Sequence, residues 1–199
     1  MLNFSDACER NKEPILGTLR DAFAECRNVL EIGSGSGQHA IHFGRRLPHL
    51  TWQTSELAVN LPALEANINE FGSENIRLPV ELDVSRHPWP VGQFHGLFTA
   101  NTFHIMSWPH VTEFFKGAGQ ALENGGLLCV YGPFSHGGHY SSASNEKFDT
   151  FLKLQDPESG IRDLDDIEPL AIRQDLKLIA DKGLPANNEI LIWRRYAGD

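Results

Sequence analysis

Cysteine is scarce in this chain. Three residues, Cys8, Cys26 and Cys129, stand among 199. They are odd in number, widely spaced and form no C-x-x-C, which argues against a disulfide framework and a cysteine zinc site. Reduced thiols in a cytoplasmic setting are the expectation. Positive charge is also short: 17 Lys and Arg against 26 Asp and Glu give a formal charge of −9. A dedicated nucleic-acid binder normally carries a basic footprint, and only Arg45–Arg46 and Arg194–Arg195 pair their charges here. No apolar run reaches the length of a membrane span, and the first residues lack the charged-then-apolar form of a signal peptide. Neither nucleic acid nor membrane is therefore expected as a partner. Repeats and low-complexity tracts are missing too. The length suits one domain over 1–199, as a monomer or homodimer.

What is present centres on Arg27 to Ala40, RNVLEIGSGSGQHA. Val29, Leu30 and Ile32 read as a buried central strand, and His39 to Phe43 as a helix. Between them Gly33, Gly35 and Gly37 make a turn whose backbone can approach a ligand, with free N–H groups at the helix start. Two cofactors fit. From Gly35, GSGQHA satisfies the dinucleotide pattern G-x-G-x-x-G/A, with Glu56 about 20 residues on. From Gly33, GSGSG fits the G-x-G-x-G loop for S-adenosylmethionine (SAM). Glu31 favours SAM. A buried carboxylate needs a partner, and it would meet positive charge beside SAM's amino acid end but negative charge beside a pyrophosphate.

The remaining chain alternates helix and strand. Residues 5–26 read as a helical N-terminal lid (1–26), capped by Ser5 or Asp6. The polar run Arg10 to Pro14 is either a helix start with Pro14 in its first turn or a cover over the cofactor, which makes Asn11 and Lys12 candidates for substrate contact. Helices over 38–47 and 59–71 flank a strand at 50–55. Glu56 ends that strand, placed to accept both ribose hydroxyls. The third strand, 76–84, contains Pro79 and so belongs at an edge or bulge. Asp83, with Val84, falls near the adenine position, although Asp also begins turns.

The fourth strand, 94–100, leads into Asn101 and His104, beyond a strand C-terminus where ligands bind. His104 is a candidate proton acceptor. A helix over 110–122 ends at Asn124-Gly125-Gly126, before a strand over 127–131 ending in Tyr131. Phe134 follows at the same edge. His136 and His139 raise the question of a metal, but no acidic third ligand has a recognisable spacing, and none is expected. The segment 135–144 reads as a loop, 156–162 as a turn, and 163–174 as a helix with acidic capping residues. Strands at 176–180 and 189–195 form a closing antiparallel hairpin whose connection carries Asn187 and Asn188. These border the substrate or serve as ordinary turn residues. The expected fold is α/β and Rossmann-like: a seven-stranded, mostly parallel sheet with helices on both faces.

This pattern resembles the class I SAM-dependent methyltransferases. More narrowly it is similar to the uncharacterised family of methyltransferase-like protein twenty-six. The matching segments are RNKEPIL (10–16), LEIGSGSGQHA (30–40), WQTSE (52–56), LDV (82–84), NTFHI (101–105), YGPF (131–134), SNEKFD (144–149), GIRD (160–163) and PANN (185–188). Where that family has Pro-Ser-Asp, this chain has Thr54-Ser55-Glu56, which keeps the carboxylate. The resemblance implies methyl transfer from SAM to a small-molecule or peptide acceptor. Glu31, Gly33, Ser34, Gly35, Gly37, Glu56, Asp83, Val84 and Asn101 would hold the cofactor. His104, Asn101 and Tyr131 would face the reacting atoms, with Asn11, Lys12, Phe134, Asn187 and Asn188 around the acceptor. A non-catalytic SAM-binding regulator and an NAD-dependent oxidoreductase are the alternatives. Against the latter stand Glu31, the terminal hairpin and the lack of a Tyr-x-x-x-Lys pair.

Overall fold

The computed structural model describes residues 1–197. Its strands and helices alternate from the start: α1 Asp6–Ala22, β1 Asn28–Ile32, α2 Gln38–Arg46, β2 Thr51–Glu56, α3 Leu61–Phe71, β3 Ile76–Glu81 and β4 Phe94–Ala100. There follow α4 Trp108–Ala121, β5 Leu122–Gly132, β6 Phe134–His136, β7 His139–Tyr140 and α5 Ala143–Gln155. The chain closes with β8 Arg162–Asp163, α6 Leu164–Ile172, β9 Leu176–Leu184 and β10 Asn188–Arg195. Seven strands form one sheet in the order β3-β2-β1-β4-β5-β10-β9. The first five run parallel, and β10 is antiparallel to both β5 and β9. This is the expected α/β sheet with its terminal hairpin.

Alternation along the inner strands divides the core into two halves. Val29, Phe98, Cys129, Tyr131 and Ile190 pack with Ile15 and Leu19 of α1 and Phe43 of α2. Leu30, Ile32, Leu97, Val130 and Leu191 pack with Phe114 and Phe115 of α4 and Ile167 of α6. The period of two thus puts Glu31 and Tyr131 on the side covered by α1 and α2. Burying each large apolar side chain contributes about 1.5–3 kcal/mol, so both faces of the sheet are needed to hold it.

Several expectations shift. α1 is one continuous helix with Ser5 as N-cap and Pro14 inside it, so no helix begins at Pro14. Pro79 lies in β3, which is the edge strand, and the β2–β3 register slips between Gln53 and Ser55. Both halves of the edge-or-bulge reading hold. Asn124-Gly125-Gly126 does not cap α4. That helix stops at Leu122, whose backbone is extended, and the glycines fall within β5 where its register with β4 shifts. The 135–144 loop and 156–162 turn also contain pairing that the sequence did not suggest: β6, β7 and β8 form a small second sheet. Asp163 caps α6, its side chain accepting from the Asp165 backbone N–H.

Candidate functional site

At the C-terminal edge of the parallel strands lies a cavity of about 790 Å³. Its floor is the turn after β1. Gly33, Gly35 and Gly37 all adopt left-handed φ, of 71°, 56° and 79°. At Gly33 a Cβ would approach Thr102 Cγ2 to 2.8 Å, whereas at Gly35 it would meet nothing within 4 Å. The space over Gly35 is therefore available to a ligand, and the backbone there takes a conformation that costs other residues about 1–2 kcal/mol. Gly37 lies outside the cavity wall and starts α2, its Cβ position closed by Leu64 and Ile68.

Two carboxylates brace this turn from below. Glu56 Oε2 accepts from the Gly35 N–H at 2.8 Å, and Oε1 accepts from the Leu57 N–H at 2.8 Å and Asn60 Nδ2 at 3.2 Å. Glu31 Oε2 accepts from Trp52 Nε1 at 3.0 Å and Ser34 Oγ at 3.1 Å. Glu31 is almost wholly buried, one layer behind Ser34, and does not reach the cavity wall. Burial drives its carboxyl up to about 7, against the pull of its two donors. Ser34 is in the wall and links the two strands, its Oγ also accepting from the Ser55 N–H at 3.2 Å.

The roof comes from both ends of the chain. Ser5, Cys8, Arg10, Asn11 and Pro14 of the first helix and its cap line it. The segment before α1 is pinned down: Ser5 N–H donates to Gln38 Oε1 at 2.6 Å, and Asn67 exchanges hydrogen bonds with Leu2 at 2.7 and 2.9 Å. Asn67 Nδ2 also donates to the Ser36 carbonyl at 2.9 Å, so the strap and the glycine turn share one anchor. Opposite, Ser144, Asn145 and Phe148 of α5 meet Pro185, Ala186 and Asn188 of the β9–β10 turn. Asn145 Nδ2 donates to the Asn187 carbonyl at 2.9 Å, tying helix to turn. Ala186 and Asn187 are both left-handed, with φ 63° and 55°, the geometry of a tight hairpin turn.

The middle of the wall holds the polar groups with chemical potential. Asn101 follows β4 with φ 59°, a strained backbone of the kind that gathers at functional sites. Tyr131 ends the adjacent strand; burial raises its hydroxyl, offset in part by Asn11. His39 Nε2–H donates to Asn11 Oδ1 at 2.7 Å. His104 packs edge-on to Phe148 with ring centroids 5.4 Å apart, and no described residue hydrogen-bonds its ring nitrogens. Burial holds His39 and His104 down to about 4, so both imidazoles are neutral at physiological pH.

Gly33, Ser34, Gly35, Asn11, Asn101, His104, Tyr131 and Asn188 thus share one cavity. Eight expected residues lie outside its wall: Glu31, Gly37 and Glu56 stand directly behind or beside the turn, and five lie elsewhere. Lys12 pairs with Glu9 on the outer side of α1. Phe134 is fully buried against Phe103, because its strand position turns inward. Val84 is in the core. Asp83 opens onto a separate hollow and accepts from Ser85 Oγ at 2.6 Å, the turn-starting role of Asp. Asn187 props the turn through Nδ2 to Ser144 Oγ at 3.1 Å and is not in the wall. The sequence reading named Arg10 only within the polar run 10–14 and missed Asn145, although it stands in a quoted motif segment, and His39, which closely follows the glycine turn. His136 also has acidic neighbours after all: Asp181 and Glu189 bring their oxygens within 4.8 Å. They come from β9 and β10, so no spacing in the chain could have shown them. His136 Nε2–H donates to Glu189 at 2.8 Å, which accounts for the cluster as an ion pair. Among the described residues no helix is long and apolar enough to cross a membrane.

The fold is that of the class I SAM-dependent methyltransferases. An O-methyltransferase family protein from Burkholderia thailandensis superposes with a TM-score of 0.82 at 18% identity, over 98% of this chain and 59% of that one. Human N-acetylserotonin methyltransferase in complex with SAM gives 0.80 at 13% identity, over 96% and 53%. PigF with SAH gives 0.78 at 14% identity, over 95% and 63%. The chain therefore spans less than two thirds of the length of these structures, and at such identities the likeness speaks for the fold. Residues 2–195 match the family described as "Protein of unknown function (DUF938)". The chain belongs to that family.

Proposed function

We propose that this chain binds SAM and transfers its methyl group to a small-molecule or peptide acceptor. The observation that carries the reading is the left-handed glycine turn, braced by Glu56 and open above Gly35, at the floor of a cavity of about 790 Å³. The cradle fits the methionine end of SAM: Gly35 leaves room for it, and Ser34 and Gly33 bring backbone and hydroxyl groups to the same wall. Glu31 would supply negative charge from one layer behind. Glu56 stands just behind the wall and already accepts from the Gly35 and Leu57 N–H groups and from Asn60 Nδ2, which leaves about one lone-pair site, so it would hold one ribose hydroxyl.

When bound, SAM supplies an electrophilic methyl on a cationic sulfur; the protein's part is position, exclusion of water and electrostatics. The roof of α1, α5 and the β9–β10 turn would exclude solvent, and near-attack alignment is worth about 7–11 kcal/mol of a barrier. Asn101, His104 and Tyr131 would orient the acceptor. The relation to the family of methyltransferase-like protein twenty-six is supported by the convergence of its segments. Pieces of RNKEPIL, NTFHI, YGPF, SNEKFD and PANN, far apart in sequence, all contribute to one wall.

Calorimetry with SAM, S-adenosylhomocysteine and NAD tests the cofactor. Binding of the first two and not the third is expected; NAD binding alone would replace the reading with an oxidoreductase. A methyl-transfer screen against small-molecule extracts then separates an enzyme from a silent SAM binder.

A further inference from the structure

The chain carries 26 Asp and Glu residues, yet among the described residues no Asp or Glu lines the cavity, and the one charged side chain in its wall is Arg10. Of the acids near Arg10 on α1, Glu9 pairs with Lys12 and Glu13 with His42 and Arg46, while Asp6, one turn earlier, forms no ion pair with it or with any other described residue. The Arg10 guanidinium has no carboxylate partner among the described residues. Further in, Asn101, His104 and Tyr131 offer an amide, an imidazole N–H and a phenol, all able to donate. In an acidic protein this is a wall built for negative charge.

We infer that the acceptor is a small organic acid, methylated on an oxygen that is already ionised when it enters, either a carboxylate or an acidic phenol. This rests on the methyl-transfer reading above. A cationic amine would lose its hydration with no carboxylate in the wall to replace it, and it would sit against a cationic methyl donor. An aliphatic alcohol would need a strong base, and the wall lacks one. Burial and the nearby Arg162 keep His104 down at about 4, and Tyr131 is raised by burial and stays protonated. Neither takes a proton from an alcohol at neutral pH.

An ionised acid needs no base. Its oxygen lone pair forms the new O–CH3 bond while the C–S bond breaks and leaves its electron pair on sulfur. One negative and one positive charge cancel, and no proton moves. A water-poor cavity favours this step, because the attraction between the charges is screened less there than in bulk water.

The test uses protein saturated with S-adenosylhomocysteine and titrated by calorimetry with matched probes: benzoate against benzamide and benzylamine, and 4-nitrophenolate against phenol. The two acids should bind at least about tenfold more tightly than their neutral or cationic counterparts, the scale of one charge-assisted hydrogen bond. Arg10→Gln, at an exposed position, should erase most of that difference. Benzylamine or benzamide binding as well as benzoate would overturn the inference, as would failure of both acids to bind. So would an Arg10→Gln variant that loses S-adenosylhomocysteine affinity but keeps that for acids, since Arg10 would then serve the cofactor. If S-adenosylhomocysteine itself fails to bind, the methyl-transfer reading falls first, so the two failures are told apart.

Discussion

Glu31 is the carboxylate whose chemistry departs furthest from its ordinary value. Burial lifts its carboxyl from 4.5 to about 7, so the folded protein holds a proton across that window that the unfolded chain releases. Glu31's own contribution to stability should therefore fall as pH rises from 4.5 through about 7, against the opposite contribution of His39 and His104, which burial holds down at about 4, so over that window the melting temperature of wild type should drop relative to that of Glu31→Gln. A cation docking nearby favours the ionised form, so wild-type affinity for SAM should rise between pH 6 and 8 while that of Glu31→Gln stays level. A pH-independent affinity in the wild type would remove Glu31 from the account. Glu56→Ala deletes the acceptor of the Gly35 and Leu57 N–H groups. It should weaken S-adenosylhomocysteine binding by about 1–3 kcal/mol, read by calorimetry. Unchanged binding would place the ribose elsewhere. Sequence made Glu31 legible as a carboxylate needing a partner, but not that Trp52 and Ser34 would be the partners, because the Trp52 bond closes only across strands and the Ser34 bond depends on how the glycine turn folds back. Asp83 shows the opposite outcome: the chemistry was plausible, and the ordinary tendency of Asp to begin a turn prevailed.

Among elements, the strands that alternate cleanly were the easiest to read. β1, β5 and β10 each send odd and even residues to opposite faces, as does β4 beyond its register shift near Phe94, and their hydrophobic patterns expose this directly. The short pieces were not readable. β6, β7 and β8 hold two or three residues each, and β6 pairs with β8 across 28 positions, so no local pattern marks them. Pro14 misled because a proline ordinarily opens a helix, whereas α1 carries it internally, facing the cavity. The segment before α1 is an element in its own right. Asn67→Ala removes its anchor to Leu2 and to the Ser36 carbonyl. The variant should lose about 1–3 kcal/mol of stability and speed hydrogen exchange in residues 2–5 and 36–38. Protection unchanged in those amides would show that the strap is held by other contacts.

At the scale of the whole molecule, the seven strands and the closing hairpin followed from counting strands, and the cavity did not. Its wall runs from Asn3 to Asn188, and a sequence reports spacing along the chain, not distance across it. For the same reason the overall charge of −9 gave no hint that, among the described residues, the cavity wall would hold no acid and one arginine. What unites these scales is the turn after β1, where left-handed backbone, bracing carboxylate and open volume coincide. Gly35→Val isolates that coincidence. Its Cβ would meet no protein atom, so the chain should still fold, with a cost of about 1–2 kcal/mol for the left-handed backbone, while the ligand's space is lost. The direct measurement is calorimetric titration of wild type and Gly35→Val with S-adenosylhomocysteine, alongside circular dichroism of both. One molecule bound per wild-type chain and none by a folded Gly35→Val is the expected result. Equal affinity in the two proteins, or no binding by the wild type, would contradict the account.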